Sequence, residues 1–243
     1  MLSVDLALFV AGTFAAALVA GLSGFAFGLI AAAVWLYVLP PLQVTALIAV
    51  FGLVVQGYAV WKLRGALRLA RLWPFLVGGA LGVPLGAELL RAVDPVDGRR
   101  AIGAVLIAFT LYSVARPSVR VPTAGGRVAD GAVGLASGIV GAVTGLAGIL
   151  AVVWAGMRGW PRDEQRAVFQ PVGVAIFALT VLWLGGRGAI TADTLRLMAF
   201  GAPALLLGVW GGLKLYGRLD EAGFRKLVLA LLGVSGVALL VAA

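Results

Sequence analysis

The sequence contains no cysteine and no histidine. These absences exclude disulfide bonds, thiolate nucleophiles and imidazole acid–base chemistry, and they remove the usual ligands of transition metals. Charged residues make up only 12% of the chain, and no pair of acids falls inside an apolar run. An enzyme is therefore not expected, and the sequence predicts no catalytic residue, no metal site and no cofactor.

What the chain has instead is apolar sequence. Hydrophobic residues account for 62% of its 243 residues, and the mean hydropathy is +1.08, more than a soluble domain of this size could bury. The apolar runs between charge clusters are long enough to cross a hydrocarbon core of about 30 Å as helices. They lack the alternation of barrel strands. The fold class predicted is an all-α polytopic membrane protein.

The chain also has an excess of basic residues. A net charge of +9 would suggest nucleic-acid binding in a soluble protein, but the lysines and arginines here lie at the ends of the apolar segments. This pattern is typical of topology signals that face anionic lipid. Membrane lipid is therefore an expected partner, and nucleic acid is not. A second copy of the chain, in a homodimer, is a further candidate partner.

Several stretches of the chain occur twice. Residues 94–100 (DPVDGRR) correspond to 220–226 (DEAGFRK), and the glycine-rich 82–86 corresponds to 208–212, both at an offset of 126. A second set of matches, at an offset of 121, comprises Ser23 with Thr144, Gly24 with Gly145 and Pro40 with Pro161. The sequence therefore predicts two homologous halves. In a membrane protein, such halves are the usual build of a secondary transporter.

The halves cover residues 1–116 and 128–243. The linker at 117–127 carries two prolines and a Gly-Gly pair without an apolar run. Each half divides into five apolar segments, and a glycine-rich break separates the first two. The segments are 4–22, 24–39, 43–61, 72–91 and 100–115, then 128–143, 145–157, 165–185, 196–216 and 226–242. We expect about 8–10 membrane segments, depending on whether the first two of each half cross or form a re-entrant hairpin.

The distribution of lysine and arginine predicts the orientation. If the first two segments of each half both cross or fold as a hairpin, 14 basic residues fall on one side of the membrane and 5 on the other. One continuous crossing would give about 10 against 9. The positive-inside rule favours the first arrangement and places both termini outside the cytoplasm. Each half then crosses an odd number of times, so the halves form an inverted repeat.

The two glycine breaks are the predicted substrate site. Glycine lets the backbone approach a ligand, and half-helix N-termini at a break would turn free N–H groups toward an anion. The alternative is that these glycines only pack helices together. The residues assigned to the site at the two breaks are Ser23, Gly24, Phe25, Gly28, Thr144, Gly145 and Gly148.

Polar side chains inside the apolar runs are the other candidates. Gln56 and Gln170 could donate to the oxygens of an anion, or each could tie two helices together. Pro171 favours the first role for Gln170, because proline withdraws an N–H and opens the helix. Glu88 is the only acid well inside a predicted helix. With Arg91 one turn away, it is expected to form an ion pair at the membrane interface rather than carry protons.

The chain resembles the sulfite exporter TauE/SafE family, also called the 4-toluenesulfonate uptake permeases. The shared features are a glycine-rich break near the start of each half, a proline that closes that segment, and an acidic loop with two basic residues before the last helix. They lie at 20–28 and 137–148, at Pro40 and Pro161, and at 94–100 and 220–226. The resemblance implies a bacterial inner-membrane transporter for anions such as sulfite, sulfonates or sulfoacetate.

The function predicted is secondary transport. A permease or exporter would move a small organic or sulfur-containing anion across the inner membrane by alternating access, and a proton or another ion is a candidate for coupling. Two alternatives remain open. One is a passive anion channel, and the other is a membrane subunit that transports nothing.

Overall fold

The computed structural model describes residues 3–23, 26–115, 125–215 and 221–241, and within these ranges the chain is helical and contains no strand. A short 3₁₀ turn at Arg64–Ala66 follows the third helix. The α-helices are α1 Ser3–Ser23, α2 Phe27–Trp35, α3 Pro41–Leu63, α4 Leu69–Ala92, α5 Pro95–Ala115, α6 Gly126–Thr144, α7 Ile149–Met157, α8 Arg162–Gly186, α9 Ala192–Leu215 and α10 Glu221–Val241.

Six of these helices, namely α1, α3, α4, α5, α8 and α9, are long and apolar enough to cross a membrane by their length and composition. By contrast, α2 and α7 have nine residues each. At 1.5 Å per residue each is about 13 Å long, too short for a hydrocarbon core of about 30 Å. The predicted all-helical membrane fold is therefore confirmed.

In each of the two halves predicted from the sequence, the short second helix folds back along the first. Trp35, the last residue of α2, donates a hydrogen bond from its indole Nε1 to the carbonyl of Phe9 in α1, at 3.2 Å. In the second half Arg158, which follows α7, donates to a carboxylate oxygen of Asp130 in α6, at 3.0 Å. Each half thus begins with a long helix and a half-length helix that returns beside it.

Extensive contacts between helices, made at glycines, join the two predicted halves. The helices α4 and α6 run parallel, and so do α1 and α9. At four glycines, an added Cβ atom would collide with a backbone carbonyl oxygen of the neighbouring helix. The glycines and the residues that carry these carbonyls are Gly82 and Leu135, Gly86 and Ile139, Gly208 and Phe14, and Gly212 and Leu18. The glycines of the two seams differ by 126 and their carbonyl partners by 121, the same offsets that the sequence repeats show. Small residues allow this close approach of helix backbones.

Another contact between the halves joins α3 to α8. Gly52 of α3 packs against the ring of Phe177 in α8, and Gly173 of α8 packs against the amide of Gln56 in α3. Because a later residue of one helix meets an earlier residue of the other, the two helices run antiparallel. The helices α5 and α10 are also antiparallel.

Ion pairs identify which helix ends lie together. Arg71 at the start of α4 pairs with Glu164 at the start of α8, at 2.5 Å. Glu88 near the end of α4 lies 3.1 Å from Arg187, just after α8, and the predicted contact with Arg91 is present at 3.9 Å. We call these two regions the Arg71 end and the Glu88 end of the bundle. The helices α4 and α8 therefore run parallel between them.

Candidate functional site

Three residues at the breaks adopt a left-handed backbone conformation. Gly145 has φ of 71° and Gly148 has φ of 84°, values that glycine adopts without strain. Ala26, immediately before α2, has φ of 28° although it carries a side chain. Such a conformation is costly for alanine and is often found at functional sites. The reversals of the chain at both breaks are therefore sharp and local.

The two breaks meet inside the bundle. A Cβ atom on Gly28 would lie 2.8 Å from the carbonyl oxygen of Gly145 and 3.1 Å from a methyl carbon of Ile48. The first turn of α2 therefore touches the second break directly. Ile48 follows the start of α3 by seven residues, or about 10 Å of helix. The contact thus lies inside the bundle rather than at the first turn of α3.

A cavity of about 40 Å³ lies between the breaks. It has room for about three water-sized groups, since one water needs about 10–15 Å³ on this measure. The cavity is lined by residues 26–29 of the first break and α2, by residues 145–149 and Val152 of the second break and α7, by Gln56, and by Phe109, Phe169 and Phe177. We call it the central cavity.

Among the described residues, Gln56 supplies the polar side chain of the central cavity. The residue is 7% exposed, and its Oε1 is buried without a hydrogen-bond partner among the described residues. A Cβ atom on Gly173 would lie 2.5 Å from this oxygen, so glycine there makes room for the amide. In the second half the position equivalent to Gln56 is Phe177, at the offset of 121. The wall is thus polar on the α3 side, where Gln56 lies, and aromatic on the α8 side, where Phe177 lies.

The first turns of α2 and α7 both face the central cavity. In the described part of the chain, neither helix N-terminus has a side-chain cap. The Ile149 N–H of α7 donates to the carbonyl of Leu146 at 3.3 Å, and the next N–H groups of a first turn have no partner within their own helix. Each N-terminus carries about half a positive charge. Together they favour a negatively charged ligand.

Four of the ten predicted site residues line the central cavity, namely Gly28, Gln56, Gly145 and Gly148. Gln170 is buried on α8, but neither it nor Pro171 belongs to the cavity wall. The structure therefore does not bring the two glutamine amides together in the cavity. Three further predictions lie outside the described residues: the side chain of Ser23, together with Gly24 and Phe25.

The aromatic part of the wall is not predicted by the sequence. Phe109 belongs to α5, and Phe169 and Phe177 belong to α8, so all three lie outside the glycine clusters. Phenylalanine is common in membrane helices, so these residues carry no signal of their own. The duplication offers one indirect signal, because Phe177 occupies the place of Gln56 in the other half.

The remaining predicted residue, Thr144, shapes the second break. Its hydroxyl donates to the carbonyl of Val140 at 2.6 Å and accepts from the N–H of Leu146 at 3.1 Å. We expect Thr144→Val to lower stability by about 1 kcal/mol, because the Leu146 N–H loses its partner. The readout is the melting temperature in detergent. Thr110→Val is the control, because that hydroxyl bonds only one turn back in its own helix. Equal shifts in the two variants would contradict this role.

A larger cavity of about 440 Å³ opens at the Glu88 end. Its wall includes Gln43, Asp94 and Thr194. These polar groups bond within the protein: the Gln43 amide donates to the Thr194 hydroxyl at 3.4 Å, and Asp94 accepts from the Val96 N–H at 2.9 Å. Because its polar groups are already paired, this cavity is the weaker candidate for a binding site.

The two returning helices are held by different chemistry. In the second half Asp130 accepts hydrogen bonds from Arg158 and, at 2.8 Å, from the Trp154 indole. The side chains of Arg158 and Asp130 are only 8% and 13% exposed. We call these three residues the ionic clamp. In the first half, Trp35 instead packs among aromatic rings, with Phe9 at 4.9 Å between centroids. The sequence predicts only Glu88 as an acid well inside a helix, and it does not predict the burial of Asp130.

Comparison with protein families gives a match over most of the chain. The family described as sulfite exporter TauE/SafE matches residues 8–239. The chain belongs to the sulfite exporter TauE/SafE family. Both glycine breaks, the central cavity and the ionic clamp lie within the matched region of this TauE/SafE protein. It is therefore a multi-pass membrane protein of a transporter family. No curated protein and no solved structure matches the chain.

Proposed function

We propose that this TauE/SafE protein is a secondary transporter for a small sulfur-containing or organic anion of the sulfite, sulfonate or sulfoacetate type. The central cavity is its binding site. The observation that carries the proposal is the convergence of two uncapped helix N-termini and the buried Gln56 amide on one cavity. Helix N-termini and an amide are suitable donors to an oxyanion.

The two halves form an inverted repeat in this proposal. Support comes from the helix directions, because the equivalent helices α3 and α8 run antiparallel, as do α5 and α10. The duplicated glycine seams give further support, since they join α4 to α6 and α1 to α9 at the offsets of the sequence repeat. The boundaries are residues 1–116 and 128–243. Transporters with inverted repeats bind their substrate at the interface between the repeats, and the central cavity lies there.

Alternating access requires that the bundle open at one end while the other stays closed. Both ends hold an ion pair between the halves: Arg71 with Glu164, and Glu88 with Arg187. In the proposed cycle one pair separates while the other persists, and α4 tilts against α8. Partly exposed ion pairs of this kind contribute little stability, so breaking one pair changes the free energy of the protein only slightly. The glycine seams stay packed throughout.

The Arg71 end is the proposed cytoplasmic end. Basic residues at the helix ends and turns of that side support this assignment, namely Arg71, Arg158, Arg166 and Lys214. The positive-inside rule assigns such a cluster to the cytoplasm. Both chain termini then lie on the other side of the bacterial inner membrane, and α1 with α2, like α6 with α7, forms a hairpin.

A passive channel is the second candidate, because uncapped helix N-termini could also line an anion pore. The small volume of the central cavity, about 40 Å³, favours a carrier. Counterflow distinguishes the two. A carrier accelerates entry of labelled sulfite when unlabelled sulfite is inside the vesicle, whereas a channel does not.

The test is flux of labelled sulfite in vesicles that contain the purified protein. We expect Gln56→Leu to lower kcat/KM for sulfite by about 10- to 100-fold, since a hydrogen bond to a charged ligand is worth about 1.5–3 kcal/mol. Gln43→Leu is the matched control, because Gln43 bonds to Thr194 outside the central cavity, and we expect its flux within about twofold of wild type. Equal flux in the wild type and in both variants would show that Gln56 does not bind the substrate, and the binding site would then not be the central cavity. An absence of flux with any sulfur oxyanion would favour the non-transporting subunit.

A further inference from the structure

Among the described residues, 14 line the central cavity, and all of these are uncharged. The positive potential there comes from the N-termini of α2 and α7, each equivalent to about half an elementary charge. Their sum of about one charge balances a single negative charge. A dianion would leave one charge uncompensated in a poorly solvated site, which is strongly unfavourable. The electrostatics therefore select for a monoanion.

Gln56 adds a second requirement. Its Oε1 is buried and has no hydrogen-bond donor among the described residues. A buried acceptor without a partner is costly, and Gln56 lines the central cavity, so an occupant of the cavity is the candidate for the missing donor. A fully deprotonated oxyanion has only acceptors and would be repelled by this oxygen. An oxyanion that keeps one proton can donate its O–H to Oε1 and accept from the amide N–H₂.

We infer that the central cavity binds the protonated monoanion of a small oxyacid, of the hydrogen sulfite type, in preference to the dianion. This inference rests on the proposed function and narrows it to one charge state. The cavity volume of about 40 Å³ fits a compact ligand of this kind. The proton then travels on the substrate, and the protein needs no proton carrier in the cavity wall.

The titratable groups of the surrounding helices bear on any test by pH. Outside the cavity wall, the helices α3, α5, α6 and α8 and the turn after α7 carry Tyr58, Lys62, Asp97, Arg99, Arg100, Tyr112, Arg127, Asp130, Arg158, Arg162, Asp163, Glu164 and Arg166. Tyr112 donates to the carbonyl of Val153, and Asp130 and Arg158 belong to the ionic clamp. A ligand that stays a monoanion at every pH reports whether these groups influence binding.

The experiment is calorimetric titration of the detergent-purified full chain with sulfite, methanesulfonate and sulfate. For total sulfite we expect the apparent Kd to rise about tenfold for each pH unit above neutrality, because the binding form becomes the minor species. Methanesulfonate stays a monoanion and has no O–H. We expect it to bind at least about tenfold more weakly than hydrogen sulfite, without pH dependence, because Oε1 stays unpaired. Sulfate, a dianion, should not bind.

A variant separates the charge requirement from the donor requirement. Gln56→Met keeps the length of the side chain and removes the acceptor oxygen. We expect it to bind hydrogen sulfite and methanesulfonate equally, with the pH dependence for sulfite retained. Methanesulfonate binding by this variant would also show that it is folded.

The outcomes distinguish this inference from the proposed function. Sulfate binding as tight as that of sulfite, or a Kd for total sulfite that does not change with pH, would overturn the monoanion inference and leave anion transport standing. If wild-type protein binds none of the three anions at any pH and vesicles show no flux, the proposed function itself fails.

Discussion

Leucine in place of Gly82 is expected to prevent the protein from accumulating in folded form. A Cβ atom at this position would collide with the carbonyl oxygen of Leu135 and lie 3.1 Å from the Cα of Gly138. Both partners are backbone atoms of α6, which cannot move aside as a side chain can. Separating α4 from α6 opens an extensive contact between the halves, so we expect a loss above about 4 kcal/mol, at the extreme of single substitutions.

The measurement is size-exclusion chromatography of detergent extracts followed by thermal unfolding. Gly57→Leu is the matched control, because it introduces the same side chain on a membrane helix where a Cβ atom would meet nothing within 4 Å. Gly57→Ala should even stabilise α3 by about 0.5–1 kcal/mol. A monodisperse Gly82→Leu protein with the wild-type melting temperature would disprove the importance of the seam.

Alanine in place of Arg158 is expected to have the next largest effect. The substitution leaves the Asp130 carboxylate, 13% exposed, without its cation. Breaking a buried ion pair from one side costs about 3–5 kcal/mol, which corresponds to a fall in melting temperature of about 10 °C for a chain of this size. The contact between α7 and α6 would also weaken, because the ion pair joins the end of α7 to α6.

Two further variants test the cause of this effect. Adding Asp130→Asn to Arg158→Ala removes the stranded charge and keeps an acceptor for the Trp154 indole, so we expect part of the stability to return. Arg196→Ala breaks an ion pair with Asp193 whose side chains are 74% and 77% exposed, and it should change stability by less than about 1 kcal/mol. A similar loss in Arg196→Ala and Arg158→Ala would show that burial is not what matters.

Much of the fold could be predicted because it depends on short, contiguous stretches of the sequence. Apolar runs bounded by charges predicted the helices, and the glycine clusters located the breaks within a few residues of Ser23 and Thr144, where α1 and α6 end. The two interpretations of the glycines, binding site and helix packing, are not exclusive. Gly28 and Gly145 line the central cavity, whereas Gly82 and Gly208 hold helices together.

The parts that could not be predicted depend on rotation of helices about their axes. Gln56 and Gln170 look alike in sequence, yet only Gln56 lines the cavity, because successive helical positions differ in direction by about 100°. The ionic clamp joins Asp130 of α6 to Arg158, which follows α7 and lies 28 positions further along the chain. Asp130 and Arg158 each sit where a charge at a membrane boundary is ordinary, so neither suggests a buried partner.

In the proposed transport cycle, the cargo is the principal charge that crosses the membrane, because the described wall of the central cavity is uncharged. Transport of a monoanion is then electrogenic, and the membrane potential acts on the substrate itself. A potential of about 100 mV, negative inside, contributes about 2.3 kcal/mol to outward movement of one negative charge. At equilibrium this supports an outside-to-inside concentration ratio of about 50. The cell's own voltage would thus drive export without an ion gradient coupled through the protein.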